Sequence, residues 1–239
     1  MITEENFLDF NCPYCSGTIS FPESVVGSAQ EWPTCLESII VPQAGHDVGR
    51  NIPLPIVTPR LKLRRFAPND WKALLQLASD EEGFSYVEGL PGGREEEVLR
   101  WLEEDAHIRL TTPNQILHLA MELQEGGALI GYLGLWFTDA HRLQARLNVS
   151  LHRNHQHKGF AREAVGAMLG FCFEGIRLHR VAARCDSTNT AACRLCENAG
   201  MRREGEFVKD QPLLEGGWTN SIWYAALAEE YRHDSGSMT

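Results

Sequence analysis

Residues 156–161 read Gln-His-Lys-Gly-Phe-Ala, with small residues at Gly159 and Ala161, where a backbone can approach a ligand closely. Apolar residues alternate just before this run (Ala145, Leu147, Val149, Leu151), and from Phe160 onward they recur at helical spacing. That pattern predicts strand, short turn, helix. The first amides of a helix lack internal partners and carry the positive end of its dipole. Gln156, His157, Lys158, Gly159, Phe160 and Ala161 therefore form a candidate anion cradle. Asn189 opens a second predicted helix, over residues 190–198, and can serve either as its N-cap or as an amide ligand. Cys193 and Cys196 lie at i and i+3 on that helix, as buried thiols or as half of a metal pair. His152, His155 and His157 cluster at the turn, facing solvent, a bound anion or a metal.

The elements that position these residues follow from periodicity. Residues 58–66 alternate apolar and basic positions and predict a first strand. Asn69 or Asp70 can cap a helix carrying Trp71, Leu74, Leu75 and Leu77. A glycine-rich turn over 89–93 precedes a second helix near 95–108. Over 116–123, Leu117, Leu119, Met121 and Leu123 share one strand face, with His118, Ala120 and Glu122 on the other. Gly126-Gly127 turns the chain into a strand over 128–137. A long helix ends near Gly175, a strand covers 180–185, and two more strands cover about 201–209 and 221–227. The tail from 231 to 239 is polar and expected to fray.

With 239 residues and 43% hydrophobic content, the chain can bury one good core and a small accessory module. The longest apolar run, 128–137, is too short to span a bilayer, and the N-terminus lacks a basic region ahead of an apolar one. No membrane association and a cytoplasmic location are expected. Seven cysteines, an odd number, do not read as a disulfide framework. A net charge of -10 argues against binding nucleic acid, whose affinity rests on neutralising phosphates, and favours cationic partners such as amines.

Residues 1–50 differ in character: acidic residues far outnumber the lone Arg50, and Cys12, Cys15 and Cys35 fall here. The segment resembles a zinc ribbon, in which two Cys-x-x-Cys knuckles supply four thiolates to one ion. Its second knuckle is degenerate, because Trp32 stands where the partner of Cys35 belongs. Cys12, Cys15 and Cys35 are thus the candidate metal ligands of a degenerate module, which could also dock a protein partner. Pro53, Pro55 and Pro59 mark residues 51–57 as an extended linker, leaving 58–230 as the main domain.

The Gln-x-x-Gly-x-Ala spacing of residues 156–161 resembles the pyrophosphate loop of the GNAT acyltransferases, which hold acetyl-CoA this way. The run from Asn189 to the Gly200-Met201 pair resembles the family's Asn-x-x-Ser helix ending in Gly-Phe, with Ala192 in place of serine and Met201 in place of phenylalanine. Residues 58–66 resemble the opening strand of the RimJ/RimL-like subgroup, the ribosomal-protein N-terminal acetyltransferases. The resemblance covers about 58–230. It implies an α/β (α+β) GNAT fold with a mixed sheet of about seven strands and helices on both faces. It also implies two central parallel strands that splay around the acetyl-CoA arm, with Val149 and Leu151 as backbone partners and Asn189 beside the pantetheine.

The implied activity is transfer of an acetyl group by direct attack of a primary amine, either a protein N-terminal α-amine or a small-molecule amine such as an antibiotic. The state is monomer or homodimer. The family's strand glutamate is replaced by Arg146, and Cys196 stands where many members place the tyrosine that protonates the departing thiolate. Glu122, a residue of 206–215 such as Glu206 or Asp210, or water is then the candidate base, and Cys196 the candidate acid. The missing signatures also leave open a non-catalytic acyl-CoA sensor.

Overall fold

In the computed structural model, the residues described are 7–11, 18–22, 29–31, 38–40, 54–79, 90–108, 115–138, 143–213 and 216–234. The N-terminal segment contributes two antiparallel hairpins, β1 (Phe7–Asn11) with β2 (Thr18–Pro22), and β3 (Ala29–Glu31) with β4 (Ser38–Ile40). Cys12, Cys15 and Cys35, the expected zinc ligands, lie outside the described residues.

The main domain is built on one mixed sheet of β5 (Ile56–Val57), β6 (Leu61–Arg64), β7 (Ile116–Leu123), β8 (Leu129–Phe137), β9 (Gln144–Leu151), β10 (Arg180–Asp186), β11 (Arg202–Pro212) and β12 (Trp218–Leu227). Their spatial order is β11-β12-β10-β9-β8-β7-β6-β5, eight strands rather than about seven. The additional strand, β5, falls inside the stretch expected to be linker. Ile56 and Val57 pair with Leu63 and Lys62 at the sheet's edge, where the donors missing from the flanking prolines are not needed. The sheet therefore begins before residue 58.

Among the described residues, five α-helices flank the sheet: α1 (Trp71–Ala78), α2 (Glu95–Ala106), α3 (Phe160–Gly170), α4 (Thr190–Asn198) and α5 (Ala228–Asp234). The last reaches into the tail expected to fray from residue 231. The alternation of the strands decides which helices cover which face. Leu117, Leu119, Met121, Leu133, Leu135, Leu147, Val181 and Ala183 form one buried cluster with Ala164, Val165, Met168 and Leu169 of α3 and the thiols of α4. On the opposite face, Ala120 and Tyr132 pack with Phe66, Leu74, Leu77, Val98 and Leu102 under α1 and α2. After Gly170 the helix continues as a widened turn, Phe171–Gly175, closed by Ile176 N donating to Phe171 O at 2.9 Å.

Asp70 fixes the entry to α1, although not as a simple cap. Its carboxylate accepts from the Ala67 amide at 2.7 Å and from both terminal nitrogens of Arg64 at 2.7 and 2.8 Å. Burial pushes this carboxyl up, but the Arg64 pair and the Ala67 amide outweigh it and hold it below the usual range. On the buried face of α2, Asp105 is 3% exposed, with Arg65 Nη1 3.9 Å from its Oδ1. Burial pushes the Asp105 carboxyl up to about 6, against the pull of Arg65.

Candidate active site

The two central strands run parallel only briefly. Gln144, Ala145 and Arg146 pair with Arg180, Val181 and Ala182, and beyond these three pairs β9 and β10 part. The far edge of β10 stays fully paired with β12, from Arg180↔Leu227 to Asp186↔Ser221. The direction of the β9 backbone follows from the β8 register. Thr138 N bonds Gln144 O and His152 N bonds Ile130 O, so the even-numbered residues of β9 exchange hydrogen bonds with β8. The odd-numbered residues then turn their N–H and C=O groups toward β10. Leu143 confirms the direction, since its carbonyl receives His179 N at 2.8 Å. Past the last parallel pair, Leu147, Val149 and Leu151 thus present main-chain groups to the gap.

A cavity of about 410 Å³ fills this gap and crosses the sheet. On the α3/α4 side it is lined by Leu147, Val149, Val165, Ala183, Cys185, Asn189, Ala192, Leu195, Cys196 and Met201. On the other side it is lined by Arg146, Asn148, Ser150, Arg184, Asp186, Gln211, Thr219 and Ser221. One wall is apolar and the other polar because strand side chains alternate between faces. Asp186 Oδ1 accepts from the Thr188 amide and hydroxyl, both at 2.7 Å, and from Thr219 Oγ1 at 3.2 Å. Asp210 fixes the neighbouring wall, accepting from Ser221 N at 3.0 Å and Ser221 Oγ at 2.7 Å.

The loop from β9 to α3 is held at both ends. Gln156 Nε2 donates to Leu151 O at 3.0 Å, so the Leu151 carbonyl is engaged and its amide is the group left facing the gap. His157 and Gly159 both adopt positive φ, 58° and 80°, and Gly159 is the N-cap of α3. Glu163 N is the first helix amide to bond back, to Gly159 O at 3.1 Å, leaving the earlier amides without partners in their own helix.

The corner between β5 and β6 braces the same turn. Glu163 accepts from Thr58 Oγ1 at 2.6 Å, Arg60 N at 2.8 Å and Arg60 Nε at 2.6 Å. Arg60 Nη1 also donates to Lys158 O at 3.0 Å, and its guanidinium lies 4.5 Å from the centre of the Phe160 ring. Burial pushes the Glu163 carboxyl up, but the Thr58 and Arg60 hydrogen bonds outweigh it and hold it low. Sequence reasoning misses this clamp. The acid in the first turn of a helix is a legible dipole signal, whereas its partner 103 residues away is not.

Asn189 Oδ1 accepts from Ala192 N at 2.9 Å, so the residue caps α4 while also lining the cavity. Cys196 lines it too, 6% exposed, with its Sγ 3.6 Å from Cys185 Sγ. That contact and burial push the Cys185 thiol up. Glu122 does not join this group. It sits on β7, separated from the gap by β8 and β9, and pairs with Arg64 Nε at 2.5 Å and Lys62 Nζ at 3.5 Å. Burial raises its carboxyl, but the Arg64 hydrogen bond and charge outweigh that and hold it low. Among the described residues, no group of three or more His, Cys, Asp or Glu side chains converges as a metal site, which covers the histidines of the loop and the thiols of α4.

Residues 60–202 match the acetyltransferase (GNAT) domain family. The chain belongs to the GNAT acetyltransferase family. It is 31% identical over 180 residues to the uncharacterized N-acetyltransferase YnaD of Bacillus subtilis, covering 74% of this chain and 98% of that one. It is 26% identical over 179 residues to the uncharacterized N-acetyltransferase p20 of Bacillus licheniformis, covering 74% and 97%. A GNAT-family acetyltransferase from Bacillus anthracis superposes with a TM-score of 0.64 at 27% identity, covering 74% of this chain and 99% of that one. The spermidine/spermine N-acetyltransferase SpeG from Vibrio cholerae, solved with manganese ions, shares the fold with a TM-score of 0.61 at 23% identity, covering 74% and 97%.

This GNAT chain is therefore an N-acetyltransferase, with acetyl-CoA as co-substrate and an amine as acceptor. The names of its relatives weigh against a non-catalytic sensor. Among the described residues, no helix is long and apolar enough to cross a membrane.

Proposed function

We propose that this GNAT enzyme moves an acetyl group to a primary amine by direct attack in the gap between β9 and β10, with the two reactants entering from opposite faces of the sheet. The observation that carries this reading is the cavity that passes through the sheet where the strands part, apolar on one side and polar on the other. Acetyl-CoA supplies the thioester carbon that the amine attacks. Its pyrophosphate fits the cradle of Gln156, His157, Lys158, Gly159, Phe160 and Ala161, where the first amides of α3 lack helix partners. Its pantetheine arm fits the apolar side, beside the Val149 main chain, the Leu151 amide and Asn189.

Residues on the two faces divide the work. The β9 backbone orients the arm in strand-like fashion, and holding the thioester beside the amine supplies the proximity that replaces an encounter in solution. Cys196 stands on the apolar wall and is assigned the proton for the departing thiolate. Glu122, committed to Arg64 and Lys62, is a poor proton acceptor, and Asp210 is occupied by Ser221. We assign removal of the amine proton to water on the polar side.

The opening strand, with Thr58 and Arg60 bracing the loop, supports placing the enzyme with the RimJ/RimL-like members. The N-terminal region is read as a separate zinc-ribbon-like module. Its support is the order of elements: Cys12 and Cys15 fall between the strands of one hairpin and Cys35 between the strands of the other. Elemental analysis of the full chain tests that assignment. The transfer itself is tested by following CoA release from acetyl-CoA across a broad panel of amines and N-terminal peptides. Release with at least one amine is expected. Tight acetyl-CoA binding with no release in any case would return the chain to the sensor class.

A further inference from the structure

The apolar wall of the cavity carries two thiols that face each other. Cys185 belongs to β10 and Cys196 to α4, both residues are buried, and both line the cavity. Their Sγ atoms lie 3.6 Å apart. A disulfide bond is about 2.0 Å long, so the sulfurs need to close by roughly 1.6 Å to form one. Spacing along α4 pairs Cys196 with Cys193 instead, yet Cys193 Sγ donates to the Asp186 carbonyl at 3.9 Å. The partner that packing gives Cys196 is on the preceding strand.

The setting narrows what such a pair can do. Leu147, Val165, Ala183, Leu195 and Met201 share the wall with the two sulfurs. Among the described residues, no group of three or more His, Cys, Asp or Glu side chains converges there as a metal site. The Cys196 contact and burial push the Cys185 thiol up, so Cys185 keeps its proton. Thiolates rather than thiols attack oxidants, which leaves Cys196 as the sulfur that reacts first. The cavity is its route to small molecules.

We infer that Cys185 and Cys196 are a redox pair, which hydrogen peroxide joins in a disulfide across the apolar wall, stopping acetyl transfer until a thiol reductant reopens it. The Cys196 thiolate attacks the O–O bond and becomes a sulfenic acid, releasing hydroxide. The Cys185 sulfur then displaces the sulfenic hydroxyl, the S–S bond forms, and the Cys185 proton leaves in water. Two thiols and one peroxide thus give one disulfide and two waters. The effect on transfer rests on the function proposed above. The bridge consumes the S–H assigned to the departing thiolate, and it ties α4, with Asn189 at its cap, to β10.

The experiment treats the reduced full chain with a small excess of hydrogen peroxide, then maps disulfide-linked peptides by mass spectrometry after digestion without reductant. CoA release with an accepted amine is followed before treatment, after it, and again after dithiothreitol. Wild type is expected to link Cys185 to Cys196. Its rate should fall by about ten- to a hundredfold, the share of a general acid, and return with dithiothreitol. Cys185→Ala keeps Cys196 but has no thiol to resolve the sulfenic acid, which then advances to sulfinic acid. Its loss, measured against its own untreated rate, should not reverse. Cys196→Ala cannot bridge, and its residual rate should not respond to peroxide. Saturating CoA should slow bridging in wild type, because its arm covers this wall.

Reduced Cys185 and Cys196 after treatment, with bridges only at Cys193 or among the N-terminal cysteines, would overturn the proposal. So would a bridged enzyme at full rate, a Cys185→Ala protein that recovers as wild type does, or a Cys196→Ala protein that loses rate as wild type does. Each of these leaves the transfer reading standing, since CoA release by the reduced chain needs no bridge. A reversible Cys185–Cys196 bridge that forms equally fast under saturating CoA upholds the redox pair and removes the cofactor arm from this wall, which tells against the transfer reading alone.

Discussion

Gly159 is the position where the cradle can be tested most directly, because its backbone and its surroundings make separable demands. Its φ of 80° lies in the left-handed region, and a side chain there costs roughly 1–2 kcal/mol of stability whatever its chemistry. Space is not the obstacle, since an added Cβ would meet Arg60 Nη2 at 3.4 Å, an ordinary contact with a flexible group. Gly159→Ala and Gly159→Glu should therefore lose similar stability, visible as a Tm drop of a few degrees.

Acetyl-CoA binding should separate the two variants. A carboxylate held about 4 Å from a phosphate charge costs on the order of 4 kcal/mol at an effective dielectric of 20. That corresponds to a loss of about a thousandfold in affinity. Alanine adds no charge and should weaken binding by no more than about tenfold, the share of the backbone strain that bears on the loop. Isothermal titration with acetyl-CoA, run beside thermal melts of both variants, makes the comparison. If folded Gly159→Glu binds as tightly as Gly159→Ala, no phosphate lies at the start of α3, and the assignment of residues 156–161 collapses.

Other expectations follow from the contacts around the site. Glu163→Gln keeps the shape of the clamp but removes its charge, so it should cost about 1–3 kcal/mol of stability and raise the KM for acetyl-CoA while leaving kcat nearly unchanged; a fall in kcat alone would contradict a positioning role. Cys196→Ala should slow single-turnover acetyl transfer by about ten- to a hundredfold. An unchanged rate across pH would leave Cys196 as packing against Cys185 and move the acid role to solvent.

Asp105 gives a pH prediction. Its folded pKa of about 6 lies above the unfolded carboxylate value, so the native state holds the proton more tightly. The penalty from this group is absent below the unfolded pKa and grows as pH rises through about 6. Asp105→Asn should accordingly gain stability relative to wild type between pH 4 and 7.5, by an amount on the order of 2–3 kcal/mol at the upper end. Urea melts at several pH values test it, and a difference independent of pH would show that the carboxyl is not strained by burial.

The parts of this enzyme legible from sequence are those that local rules determine. Alternation over 116–123 assigns Leu117, Leu119 and Met121 to one face and His118 and Ala120 to the other, and both faces are buried where a helix covers them. The glycine-bearing turn before Phe160 sits at a helix start because only a few residue types tolerate the φ it needs. What escapes is whatever depends on strand order. Glu122 is half-buried near the end of β7 and has the right chemistry for a base. Its neighbours across β6 are Lys62 and Arg64, and no periodicity in 116–123 reveals that two cations occupy it. Residues 56–57 of the expected linker join the sheet for a related reason: prolines exclude a central strand but leave an edge strand open, and the sheet's last position is an edge.

Arg146 shows how much a local reading can miss. In the sequence it is a departure, the loss of a glutamate and hence of a base. In the fold it stands where β9 and β10 last pair, stacked on Trp136 and lining the same cavity as Asn148 and Arg184. The same splay that turns β9 main-chain groups toward the cavity also puts both arginines on its polar wall, because side chains on that face alternate with those on the cofactor face. A lone arginine in an alternating strand carries no such information. Its meaning depends on the next strand in space, β10, which follows β9 only after the long crossover through α3.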